Sequence, residues 1–230
     1  MSLPAEDTEI ESFPALAKLK NLNLRTRESD MPLFRDALNL PTNSPRLEQL
    51  KLGNDEGAFF NVLEHFSPQL KVVKVNRVSE EFFLLNFPRL RELELFVDAP
   101  ITSELSLDFF RRHSSIQELK INNAIPLDLF QIITTHCRNI TYLRLVTSNH
   151  HRKGDFKSLD QLTKLKHLEI VNAVLDDVRV DVFEGCGVIS SLEKMSFHEN
   201  HNIHRWSFLT KQIAPELKCL EFIESFYVLP

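Results

Sequence analysis

A six-residue pattern of apolar and polar positions, apolar-x-x-apolar-x-apolar, recurs nine times along the chain at intervals of 20 to 28 residues. The copies begin at Leu19, Leu47, Leu70, Leu90, Ile116, Ile140, Leu165, Leu192 and Leu217. Side chains of a strand alternate between two faces, so the last two apolar positions of each copy point to the same side. Each copy therefore predicts a short strand with one buried face and one polar face.

The segments between the copies predict short helices on the return path. Phe59, Leu63 and Phe66 fall on one helical face, and Phe130 and Ile133 do so before the sixth copy. Phe208, Leu209 and Ile213 do the same before the ninth copy. Proline stands two residues before the first leucine in four copies, at Pro45, Pro68, Pro88 and Pro215, where it would end the preceding helix. The interval of 20 residues between the third and fourth copies leaves room for one helical turn at most.

The mean spacing of about 25 residues lies in the range of leucine-rich repeats. Such short strands cannot stand alone, so neighbouring repeats must stack into one continuous sheet. We predict an α/β leucine-rich-repeat solenoid, a right-handed horseshoe of about nine repeats with a parallel concave sheet and convex helices. Its core should carry Leu93, Leu119, Leu143 and Leu168, buried and stacked in one line.

This interpretation divides the chain into two segments. Residues 1–15 would form an N-terminal cap or a leftover return segment, and residues 16–230 would form the repeat array. We expect the array to stop in mid-repeat at its C-terminus, where Phe222, Phe226 and Tyr227 would lack a following repeat to pack on. We therefore expect an exposed apolar face at that end, and hence self-association or binding of a hydrophobic dye.

One copy resembles a known family closely. The segment His136 to Leu145 (HCRNITYLRL), with Cys137 three residues before the strand, is similar to the cysteine-containing repeats of F-box leucine-rich-repeat proteins. The resemblance implies a ribonuclease-inhibitor-like horseshoe that recognises substrates for a ubiquitin ligase. The F-box itself is absent from this chain, so an adaptor of a cullin-type ligase is an expected partner only if an F-box exists upstream. The usual asparagine ladder is also absent, since only Asn200 occupies its position.

Two other functions remain open. The chain could be a free-standing leucine-rich-repeat scaffold or inhibitor. It could also be a segment of an innate-immune sensor, because the phrases Phe13-Pro14-Ala15-Leu16 and Phe87-Pro88-Arg89-Leu90 are similar to repeats of that class.

Composition narrows the partners and the compartment. The formal net charge is −5, which argues against a general nucleic-acid binder. The opening residues lack the basic and apolar regions of a signal peptide, so we expect none, and no apolar run is long enough to span a membrane. Three cysteines without a CxxC motif favour a reduced, intracellular protein of the cytoplasm or nucleus. We expect no nucleic-acid partner and no membrane partner.

The motifs of common catalytic and cofactor sites are missing, so we expect neither an enzyme nor a cofactor. The five glycines form no phosphate-binding loop. His198, His201 and His204 raise the question of a metal site, but no cysteine lies nearby and Asn202 breaks an HExxH motif. Cys137 and Cys186 should be buried, and Cys219 partly exposed. The polar loop Thr147 to Ser158, with its run His150 to Lys153, should be solvated.

The predicted concave face carries the candidate binding site for a protein partner. Phe96, Tyr142, Arg144 and Val146 combine the aromatic and arginine side chains that dominate binding hot spots. All four should project from the sheet without supporting the core. The charged and polar residues around them complete the candidate site: Glu92, Glu94, Lys120, His167 and Glu169.

Overall fold

The computed structural model describes residues 18–24, 46–53, 60, 63–76, 78–96, 103–148, 151–172, 180–198 and 211–223. These ranges contain one sheet of nine strands. The strands are β1 (Asn21–Leu24), β2 (Gln49–Leu52), β3 (Val72–Val75), β4 (Glu92–Leu95), β5 (Glu118–Ala124), β6 (Tyr142–Thr147), β7 (His167–Asn172), β8 (Lys194–His198) and β9 (Cys219–Ile223). Each strand falls on one of the nine predicted copies.

The strands follow one another across the sheet in chain order, and every neighbouring pair is parallel. The sheet is open, because β1 and β9 each have a neighbour on one side only. The α/β class and the nine parallel strands are thereby confirmed. An open sheet built in chain order is compatible with a solenoid-like stacking of similar units.

The buried face of the sheet carries continuous rows of apolar side chains. Leu93, Leu119, Leu143 and Leu168 are register partners in successive strands, and each is 0% exposed. This confirms the predicted line of leucines. Each residue packs on its counterparts in the adjacent strands, so one repeat completes the core of the next.

The return segments are short. They contain helices α1 (Ser103–Arg112) and α2 (Leu127–His136), which pack against each other, and the 3-10 turns Glu80–Leu84, Lys157–Gln161 and Val180–Phe183. Helix α2 contains Phe130 and Ile133, both buried as predicted. The single 3-10 turn between β3 and β4 agrees with the limit of one helical turn there.

A cluster of phenylalanines fills the space between α1 and the preceding 3-10 turn. Phe82, Phe83, Phe87, Phe109 and Phe110 are each 0% exposed, with ring centroids of neighbouring pairs 5.2–6.5 Å apart. The adjacent pairs Phe82-Phe83 and Phe109-Phe110 are thus packing residues.

His113 is buried in the same cluster, with its ring 4.2 Å from that of Phe109. The Phe87 backbone N–H donates to Nε2 of His113 (2.8 Å), and Nδ1 lies 2.7 Å from the Phe109 carbonyl. Both nitrogens are therefore used, with the proton on Nδ1. Burial of the imidazole ring is the main cause that lowers the pKa of His113 to about 4.

The last strand covers its apolar side chains incompletely. Phe222 stacks on Phe197 at 5.5 Å, but Leu220 and Ile223 remain 37% and 39% exposed. Leu220 lies on the leucine side of the sheet and Ile223 on the polar side, and the apolar face expected at this end stays a prediction. Residues 1–15, Phe226 and Tyr227 lie outside the described residues, so the structure does not test the predictions made for them.

Candidate interaction surface

Two rows of side chains run across the polar face of the sheet, which we define as the face opposite the leucine rows. Register places residues of successive strands side by side. From β3 to β8 the first row is Val72, Glu92, Glu118, Tyr142, His167 and Lys194, and the second row is Lys74, Glu94, Lys120, Arg144, Glu169 and Ser196. The nine strands span roughly 40 Å at about 4.8 Å between strands, which is wide enough for a protein partner.

Acidic and basic side chains alternate around β4. Nζ of Lys74 lies 2.5 Å from Glu92 and 3.8 Å from Glu94, and Nζ of Lys120 lies 3.6 Å from Glu92. Burial works against the charged form of Lys74, but Glu92 and Glu94 outweigh it and raise the pKa of this lysine. Lys120 also lies 5.1 Å from the centroid of the Tyr142 ring. These groups neutralise one another on the face.

Glu169 is the centre of a second cluster. Tyr142 donates its hydroxyl to Glu169, Nε of Arg144 lies 3.5 Å from it, and Nε2 of His198 lies 2.8 Å from it. Glu169 is 8% exposed, so its carboxylate is held by neighbours rather than by water. Burial, and then the hydrogen bond to Glu169, raises the pKa of Tyr142.

A third network continues to the last strand. Nε2 of His167 lies 3.0 Å from the hydroxyl of Ser196, which donates to Glu221 at 3.1 Å. Lys194 pairs with Glu221 at 2.8 Å, which raises the pKa of Lys194 and lowers that of Glu221. The His167 ring packs edge-on against Tyr142 at 4.7 Å. The networks together preorganise the middle of the polar face.

The structure brings most of the predicted site residues together. Glu92, Glu94, Lys120, Tyr142, Arg144 and His167 share the polar face and are partly exposed, and Phe96 follows β4 on the same side. Their binding role stays a prediction.

Two residues of the predicted site are buried: Val146, one of the four expected to project, and Glu169, one of the residues around them. Val146 is 5% exposed and Glu169 is 8% exposed. A register shift in β5 pairs Ala124, rather than Asn122, with Val146, and Val171 flanks Val146 on the other side. Val146 therefore lies between two small apolar neighbours at the strand ends. Glu169 is covered by the side chains that bind it.

The loop after β6 also differs from the prediction. His151 is 6% exposed, not solvated. The Ser148 backbone N–H donates to its Nδ1 at 3.0 Å, and its Nε2 donates to the Ile125 carbonyl at 2.9 Å. These two hydrogen bonds hold the loop after β6 against the end of β5, next to the register shift in that strand. Arg152 and Lys153 are exposed as expected, whereas His150 lies outside the described residues.

The thiols show the placements expected from the sequence. Cys137 and Cys186 are buried, and burial raises the pKa of each to about 12, so both stay protonated at neutral pH. Cys219 is partly exposed.

The described part of the chain has neither a cluster of metal-binding side chains nor a helix that could span a membrane. Across these residues, no three His, Cys, Asp or Glu side chains are arranged to hold a metal ion. His201 and His204 are not among them. No helix in the described ranges has both the length and the apolar character needed to cross a membrane.

Comparison with known proteins adds no relative. No protein-family model matches the chain, and no curated protein matches its sequence.

Proposed function

We propose that this chain is a leucine-rich-repeat array that acts as a protein–protein interaction module through its polar face. The observation that carries the proposal is the middle of that face, where Tyr142 donates a hydrogen bond to Glu169 on the neighbouring strand and Nε of Arg144 lies 3.5 Å from the same carboxylate. Side chains that are already ordered lose little entropy on binding. An aromatic ring, an arginine and partly exposed charges are the groups that protein interfaces favour.

The repeat class is supported by the spacing of the nine copies, by the parallel strands in chain order and by the stacked leucines. The more specific proposal is a substrate-recognition array of an F-box-type ubiquitin-ligase receptor, supported by the repeat at His136 to Leu145. In that proposal the protein works in the cytoplasm or nucleus, and the ligase adaptor binds an F-box upstream of this chain. A free-standing scaffold or inhibitor is the alternative.

Co-purification with a matched pair of variants tests the interaction surface. The double variant Phe96→Ala/Arg144→Ala removes an aromatic and an arginine from the polar face. The control Leu84→Ala/Arg111→Ala removes an apolar side chain and an arginine that are exposed on the return segments. We expect the first variant to lose a protein that the wild type and the control both retain, with affinity weakened about fivefold or more.

Two outcomes would contradict the proposal. Equal recovery of the same proteins by both variants would place the binding surface elsewhere. If the product of the whole gene carries an F-box and still does not recover a cullin adaptor, the ubiquitin-ligase proposal fails and the scaffold proposal is favoured.

A further inference from the structure

A row of basic side chains lines the edge of the sheet where the first four strands begin. The residues directly before and after the anchor leucines of these strands read Lys-Leu-Lys, Arg-Leu-Glu, Gln-Leu-Lys and Arg-Leu-Arg. Anchors Leu47, Leu70 and Leu90 are fully buried, so their neighbours turn outward. We define the basic edge as Lys18, Lys20, Arg46, Lys71, Arg89 and Arg91; all are exposed except Lys71, which is partly exposed.

Backbone hydrogen bonds place these residues side by side. The Glu48 N–H donates to the Lys20 carbonyl at 2.8 Å, the Lys71 N–H to the Glu48 carbonyl at 2.7 Å, and the Arg91 N–H to the Lys71 carbonyl at 2.8 Å. Arg46 and Arg89 stand two residues earlier, in the turns before β2 and β4. The cations therefore form one continuous strip and are not scattered over the surface.

Among the eight residues that flank the first four anchors, Glu48 is the one acidic residue. It pairs with Lys71 at 2.9 Å. The hydrogen bond from Lys71, with help from Lys20 and Arg89, lowers the pKa of Glu48. The described residues contain no ion-pair partner for Lys18, Lys20, Arg46, Arg89 or Arg91.

Most cations on the polar face of the same sheet, unlike those of the basic edge, have an acidic partner. Lys74, Lys120, Arg144 and Lys194 each lie within 3.6 Å of a carboxylate on a neighbouring strand, and among the described residues of this face Lys51 of β2 is the exception. Helix dipoles do not account for the basic edge either, because its six residues lie in turns and at strand starts rather than in the last turn of a helix. The chain has a net charge of −5, yet positive charge is concentrated in this strip. Such a strip attracts an anionic ligand.

We infer that the basic edge binds an acidic segment of a partner protein, a run of Asp and Glu side chains in extended conformation. Four strands at about 4.8 Å spacing place the strip over about 14 Å. An extended chain covers that length with about five residues at roughly 3.3 Å each. The edge is a second surface, and its binding does not depend on the residues proposed for the polar face.

Fluorescence anisotropy with a labelled octaglutamate peptide tests this inference on the whole chain. We expect saturable binding at low salt that weakens as salt rises, because exposed charges are screened. The double variant Lys20→Glu/Arg91→Glu should weaken binding about tenfold or more, since two attractions become repulsions. The control Lys157→Glu/Lys211→Glu makes the same change of net charge at exposed positions on the return segments and should bind like the wild type.

Three results would overturn the inference. The first is equal binding of the peptide by the edge variant and the wild type. The second is an equal loss in the control, which would show that net charge rather than the edge determines binding. The third is displacement of the peptide by a single-stranded oligouridine at a lower concentration than unlabelled octaglutamate, which would assign the strip to nucleic acid. Circular dichroism of each variant confirms that the sheet is intact.

Discussion

Acidification should destabilise this fold through one buried imidazole, His113. Its Nε2 accepts the Phe87 N–H and its Nδ1–H donates to the Phe109 carbonyl, so the folded protein holds the ring neutral. A proton added to Nε2 would face the N–H of Phe87 inside the phenylalanine cluster. The folded state therefore resists protonation, whereas the unfolded chain takes up the proton near the ordinary value of 6.5.

The sign and size of the effect follow from linkage. The folded pKa of His113 is about 4, below the value of 6.5 in the unfolded chain. Between these two values the unfolded state binds more protons, so the free energy of unfolding falls as the pH falls. The contribution is fully present above about pH 6.5 and is lost by pH 4, a change of about 3 kcal/mol at 1.36 kcal/mol per pH unit.

Urea unfolding followed by circular dichroism from pH 7.5 to pH 4 measures the effect. His113→Gln keeps an acceptor for Phe87 but cannot titrate. We expect it to be less stable than the wild type at pH 7, by about 1–3 kcal/mol, because it loses packing and one hydrogen bond. The gap should narrow toward pH 4 as the wild type loses stability.

The control is His65→Gln, which changes an exposed histidine that makes neither buried hydrogen bond. Taking the difference between wild type and variant at each pH cancels the carboxylates, which titrate in both proteins. A gap between wild type and His113→Gln that stays constant from pH 7.5 to pH 4 would refute the reasoning.

Three further predictions concern stability and exposed apolar surface. Leu119→Ala should lower the free energy of unfolding by about 2–5 kcal/mol in urea titrations, because it leaves a cavity in a fully buried row; a loss under about 1 kcal/mol would contradict the stacked core. Gly154→Ala should cost about 1–2 kcal/mol, because Gly154 has φ +77° and an added Cβ would lie 3.3 Å from the Glu184 carbonyl; an unchanged thermal midpoint would count against this. Leu220→Gln should reduce binding of a hydrophobic dye, because Leu220 is exposed on the apolar face of the last strand. The matched variant Leu84→Gln on a return segment should reduce dye binding less, and equal reductions would contradict an apolar surface centred on the last strand.

The strands and their core were predictable because one short pattern repeats. The alternation of apolar and polar positions along a strand predicts which face of the sheet a side chain occupies. The alignment of the nine copies predicts which residues are neighbours on adjacent strands. Leu93, Leu119, Leu143 and Leu168 follow directly from that phase. The face occupied by Tyr142 and Arg144 follows in the same way.

Alternation does not state how much of a side chain its neighbours cover. Glu169 and Val146 lie on the polar face, as the pattern requires, yet both are buried. For Glu169 the cause is that three side chains from the two neighbouring strands converge on its carboxylate. No single copy of the six-residue pattern shows this convergence. For Val146 the cause is the bulge in β5, where extra residues between Lys120 and Ala124 shift the pairing.

The burial of His113 had a signal in the sequence that the six-residue pattern leaves out. The position three residues before the anchor is buried in seven copies of the described chain, which carry Ser67, Phe87, His113, Cys137, Leu162, Ile189 and Ala214 there. In six of them the anchor N–H donates to the carbonyl of this residue, which closes a tight turn: at Phe87, His113, Cys137, Leu162, Ile189 and Ala214. A pattern lengthened by three residues would have placed His113 in the core.

The contrast between the two charged surfaces implies two different ways of binding. A partner on the polar face must replace ion pairs that already exist there, such as Lys74 with Glu92 and Lys194 with Glu221. Net charge then offers little gain, so affinity at that face has to come from shape and from hydrogen bonds in fixed positions. Among the described residues Lys20 and Arg91 have no ion pair that must be broken, so a weakly structured acidic segment is attracted to the basic edge at once and loses that attraction as salt rises. A partner that presents a folded surface to the face and an acidic tail to the edge would bind with more specificity than either contact provides alone.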